Sequence, residues 1–99
     1  MGIKYGKQAL VLAGKLDWKK GMATAYKNIG NSYMNKADND TALYYYANAL
    51  KIFESTNNKD GEARVLGNIA NVYDNRGDFT KALEYALQAL KIYQQLNDP

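Results

Sequence analysis

Ninety-nine residues carry thirteen basic and ten acidic side chains, a formal net charge of +3 that is scattered along the chain and lacks the clustered basic stripe of a nucleic-acid footprint. Cysteine and histidine are both absent, which removes disulfides, thiolate metal sites, cysteine nucleophiles and the usual general base. No apolar stretch approaches the ~18 residues needed to span a bilayer, and the start lacks a secretory apolar region, so a cytoplasmic protein is expected. The first predicted helix covers 2–16 and the second 20–36, where Tyr26, Ile29, Gly30 and Tyr33 keep the i, i+3, i+4, i+7 spacing of an amphipathic stripe. Ala37-Asp38-Asn39-Asp40 forms the next turn. It lacks both the glycine and the aromatic of its later counterpart and is expected to be looser. A third helix follows over 40–56. The fourth, over 60–76, repeats the stripe through Leu66, Ile69, Ala70 and Tyr73. Gly77 can adopt the left-handed conformation that ends a helix, and Asp78 accepts backbone donors at the next start. In the fifth helix, over 80–96, Ala82, Leu83, Ala86, Ala89, Leu90 and Tyr93 keep helical spacing, with Tyr85 and Ile92 widening the buried arc.

These elements are copies of one unit. Lys19 to Asn58 overlays Lys59 to Asp98 without a gap, with 17 identities in 40 aligned pairs. Tyr5, Ala9 and Leu10 fall 40 residues before Tyr45, Ala49 and Leu50, so residues 1–18 hold the second half of an earlier copy, 19–58 one repeat and 59–98 another. Small residues at Gly30/Ala70, Ala42/Ala82 and Ala49/Ala89 mark places where helices cross closely.

Asn68-Ile69-Ala70-Asn71-x-Tyr73, followed by Gly77-Asp78-Phe79-x-x-Ala82-Leu83-x-Tyr85 and Ala89-Leu90, resembles the tetratricopeptide repeat. The period of 40 is longer than the common 34 and resembles the long variant found in kinesin light chains and bacterial regulatory proteins. The resemblance implies an all-α solenoid of antiparallel helix pairs, about two and a half repeats or five helices, wound as a right-handed superhelix. It also implies a non-enzymatic protein–protein interaction module without cofactor or metal, which holds a peptide segment of a partner in its concave groove.

A second stripe has no packing explanation. Thr24, Asn28, Asn31 and Asn35 share one helix face, and Arg64, Asn68, Asn71 and Asn75 reproduce it 40 residues later. Asparagine costs roughly 0.6 kcal/mol relative to alanine inside a helix, yet its amide offers both a donor and an acceptor to a peptide backbone. The resemblance places this face in the groove, and the peptide-binding residues expected are Lys27, Asn28, Asn31, Arg64, Asn68 and Asn71. Lys27 with Asn31, and Asn68 from the next repeat, resemble part of a two-carboxylate clamp. Gly67 stands where the second copy would repeat Lys27. The alternative for these asparagines is bonding to neighbouring helices.

Other features point to structure. Asp38-Asn39-Asp40 begins like a calcium loop, but Leu43 and Ala49 occupy the positions of its glycine and glutamate, so a capping turn is expected. Of Tyr44-Tyr45-Tyr46, Tyr45 aligns with Tyr85 as a packing residue and only Tyr44 is expected to face solvent. Trp18 lies in the first inter-repeat turn as an anchor for a neighbouring repeat or a partner. Met1-Gly2 lacks the Ser or Thr of a myristoylation signal, with Gly6 in that position. Both ends interrupt a repeat, so a fragment of a longer array is expected, with Leu90, Tyr93 and Leu96 uncovered on the last helix. Self-association as a homodimer through that helix is the alternative function.

Overall fold

The computed structural model describes residues 2–97, which form five α-helices: α1 (Gly2–Lys15), α2 (Lys19–Asn35), α3 (Asn39–Ser55), α4 (Lys59–Asn75) and α5 (Phe79–Asn97). Among the described residues there is no strand. Each boundary falls within about a residue of its expected place. Met1, Asp98 and Pro99, which enter the readings of the termini, lie outside the described residues. Successive helices pack side by side, α2 with α3 and α4 with α5 most extensively, while α2 meets α4 along a narrow edge. The result is a flat array of 36 × 35 × 16 Å. Its thin dimension is about two packed helices deep, given interaxial distances of about 8–10 Å.

Four turns of one geometry make this stacking regular. Asp17, Ala37, Asn57 and Gly77, spaced 20 residues apart, have φ of 51°, 62°, 55° and 80°. At each, the following amide reaches back to close the preceding helix: Trp18 N–H donates to the Ala13 carbonyl, Asp38 to Tyr33, Asn58 to Phe53 and Asp78 to Tyr73, at 2.8–2.9 Å. The residue in the left-handed conformation donates three residues back, completing a Schellman closure. Asp38, Asn58 and Asp78 then cap the next helix by accepting from the amides of Thr41, Gly61 and Lys81. The Ala37 turn is therefore not looser than its glycine counterpart, because the same backbone bonds hold it. Nor does Phe79 tighten the later turn, since its ring is 67% exposed at the start of α5. At the first turn Trp18 gives α2 no side-chain cap, but its ring lies against Gly21, where a side chain would collide with it.

The core lies between the two complete hairpins. Ala23, Ala42, Tyr46, Ala49 and Phe53 from α2 and α3 form one cluster with Val65, Ile69 and Val72 of α4. Tyr46 is wholly buried, and its ring fits only because Gly30 has no side chain: a Cβ there would sit 2.8 Å from it. Gly61 makes the same allowance for Phe53. Burial of one such aromatic contributes on the order of 2–3 kcal/mol. Tyr33 stacks on Tyr45, centroids 5.6 Å apart, and Tyr73 on Tyr85 at 5.5 Å, both nearly parallel. Tyr44 is exposed, as expected. Asp40 receives a bond from Arg76 at 3.1 Å, and Asp38 caps α3, so the acidic turn serves capping and pairing.

Ala37 holds a left-handed conformation that costs an L-residue with a Cβ roughly 1–2 kcal/mol. Ala37→Gly is expected to stabilise the chain by about 1 kcal/mol in chemical denaturation, and Gly77→Ala to destabilise it by a similar amount; no change at Ala37 would mean that the strain is relieved elsewhere.

Candidate functional site

The helical spacing of the second stripe brings five of its six candidate side chains onto one concave surface. Lys27 and Asn31 from α2 and Arg64, Asn68 and Asn71 from α4 line a groove of about 620 Å³. Gly67 forms part of its floor, and Ala86, Ala89, Leu90 and Tyr93 of α5 complete one wall. Among the described residues no acidic side chain lines the groove. Arg64 Nε donates to Asp60 at 2.9 Å within α4, whereas Lys27 has no carboxylate partner among the described residues. The lining thus offers one unengaged cation, three amides and an apolar wall.

Asn28 sits elsewhere. Its side chain opens onto a separate hollow of about 340 Å³ between α1 and α2, lined also by Leu12, Leu16, Trp18 and Thr24. Its backbone carbonyl accepts from Ser32 Oγ at 3.2 Å. Asn35 and Asn75 are exposed at helix ends.

The repeat-equivalent asparagines differ in what they already hold. Asn31 Oδ1 accepts a hydrogen bond from the Tyr46 hydroxyl, which also lies 3.9 Å from Met34 Sδ. Burial pushes Tyr46 up to about 12, so the phenol stays protonated near neutrality and remains a donor. Asn31 thus serves the core as well as the groove. Position 46 is alanine in the second repeat, as Ala86, and neither Asn68 nor Asn71 makes a side-chain hydrogen bond to any described residue. Asn71 is exposed and Asn68 half-buried, and both amides are unengaged among the described residues.

Two contributors were not named as site residues from the sequence: Gly67 and the α5 wall. The aligned pairs Lys27/Gly67 and Tyr46/Ala86, both large to small, were the available signal. A Cβ at Gly67 would meet nothing within 4 Å, so intramolecular packing does not require glycine at a mid-helix position where it costs roughly 1 kcal/mol. Leu90 and Tyr93, expected only as an uncovered end face, also form part of the groove.

A family model described as tetratricopeptide repeat matches residues 21–95. No curated protein matches the chain.

The asparagine pair gives a test of opposite signs. Asn31→Ala leaves the buried Tyr46 hydroxyl without its acceptor and is expected to destabilise by about 1–3 kcal/mol. Asn71→Ala removes no internal bond and is expected to stabilise by about 0.6 kcal/mol through helix propensity. Denaturant midpoints of the two variants check this, and equal shifts of one sign would refute the difference in role.

Proposed function

Because the chain belongs to the tetratricopeptide-repeat family, whose repeats generally mediate contacts between proteins, we propose that it is a non-enzymatic module that binds a peptide segment of a partner protein in its concave groove. The observation that carries this is the convergence of Lys27, Asn31, Arg64, Asn68 and Asn71 on one surface, with the Asn68 and Asn71 amides unengaged. An unpaired amide on a helix costs propensity and returns nothing to the fold. Against a peptide backbone it can donate and accept at once. Lys27 and Arg64 bias the choice toward segments with an acidic side chain, because no acidic residue among those described lines the groove. Asn28 would contact only a segment long enough to reach the α1–α2 hollow. The cytoplasm is the proposed compartment, and no helix among the described residues is long and apolar enough to cross a membrane.

The second reading has its own observation. Leu83, Leu87 and Leu90 leave an apolar face along α5, at 60%, 54% and 50% exposed. Such a face favours association, and a homodimer through α5 would cover it.

A displayed peptide library selected on the chain separates the two. Peptides are expected to bind the parent and to lose roughly 10-fold or more in affinity on the Asn68→Ala/Asn71→Ala variant, which keeps its helicity, since two hydrogen bonds worth about 1 kcal/mol each are removed. Unchanged affinity on that variant, together with a concentration-dependent dimer in sedimentation that Leu87→Glu dissolves, would move the function to the α5 face.

A further inference from the structure

Resting on the groove proposed above, we infer that its α5 wall contains a seat for an aromatic side chain with a hydrogen-donating tip, a tyrosine or tryptophan carried by the bound segment. The first repeat shows what this position holds when it is filled from within. There the Tyr46 ring lies against the backbone at Gly30, beside Ala49 and Phe53, and its hydroxyl donates to Asn31. Forty residues on, Gly30 becomes Ala70, Asn31 becomes Asn71, Tyr46 becomes Ala86, Ala49 remains as Ala89 and Phe53 becomes Tyr93. All five of these counterparts line the 620 Å³ groove. A second, smaller hollow lined by Phe79 and Leu83 shares Ala70, Asn71 and Ala86 with it. The acceptor and the walls on the repeat's own two helices are thus duplicated, whereas the ring and the covering wall that Val65, Ile69 and Val72 of α4 give Tyr46 have no counterpart among the described residues.

The volumes support this. Exchanging Gly and Tyr for Ala and Ala adds one methyl and removes a phenol, and α4 and α5 do not close over the difference, because Ala86 is exposed and Asn71 keeps its amide in solvent. A phenol or indole entering from the groove would pack on Ala86, Ala89 and Tyr93 and donate to Asn71 Oδ1. It would regain the hydrogen bond and, on the side of α4 and α5, part of the aromatic burial that Tyr46 has internally. A helical or extended segment can present such a residue, with Lys27 and Arg64 further along the groove for an acidic neighbour.

The probe is p-cresol, the side chain of tyrosine, followed by amide chemical shifts of the labelled chain. Saturable shifts are expected at Ala70, Asn71, Ala86 and Ala89, about 2- to 10-fold weaker in affinity for Asn71→Ala, where only the acceptor is lost. In Ala70→Gly/Ala86→Tyr the ring is rebuilt from within, so the shifts should vanish while the melting temperature rises. If that variant fails to fold, Ala86→Leu blocks the same space and should also abolish them. Absence of saturable shifts at those amides, or equal binding by the filled variants, overturns the seat. Peptides that still need Asn68 but share no aromatic would overturn it and leave the groove standing. Cresol binding without any peptide affinity would instead sink the groove and keep the seat.

Discussion

The array depends on one close approach: the Tyr46 ring seated on the bare backbone of Gly30, with α4 laid over it. Interiors are packed to crystal-like density, so a ring of that size can sit between helices only where a side chain is missing opposite it. Gly30 supplies the gap, since a Cβ there would lie 2.8 Å from the ring. Asn31 receives the hydroxyl, and Val65, Ile69 and Val72 of α4 join the same cluster. Gly61 then admits Phe53 in the same way at the next crossing. Turn geometry sets the helix order, but these aromatic–glycine contacts set how near the hairpins come and therefore where the concave face lies.

The proposed function rests on the way the second repeat departs from the first. Where the first repeat spends an asparagine on its own tyrosine, the second leaves the equivalent amide in water beside an alanine and a mid-helix glycine. The same face is thus closed at one end and open at the other. Such a difference between copies costs stability in the open repeat, through asparagine and glycine propensity and an uncovered wall. It produces a polar groove with an apolar side, the combination a peptide needs for backbone pairing and side-chain selection.

Most of the fold was legible in the sequence because repetition makes one helical stripe confirm another. Leu66, Ile69, Ala70 and Tyr73 could be checked against Tyr26, Ile29, Gly30 and Tyr33. Legibility failed at the turns. Ala37 gave no sign of left-handed geometry, because the closure is written in backbone bonds that any residue can make at some conformational cost. Within the site, the helix faces of Lys27, Asn31, Arg64, Asn68 and Asn71 could be counted from spacing. The divergence of Asn28 could not, since it depends on α1 flanking α2 on that side. The bond from Tyr46 to Asn31 spans fifteen residues and two helices; periodicity within one helix cannot report it. Tyr46 and Ala86 occupy the same register, but only the three-dimensional neighbours show that one is a plug and the other an opening.

On the proposed reading, another chain binds at the surface shared by α2, α4 and the inner side of α5. The most direct measurement is an amide chemical-shift map of the labelled protein titrated with a selected peptide. Shifts concentrated at Lys27, Arg64, Gly67, Asn68, Asn71 and Ala89 are the predicted result. Shifts confined to Leu87 and Lys91 on the outer face of α5, or to the hollow around Trp18, would contradict it.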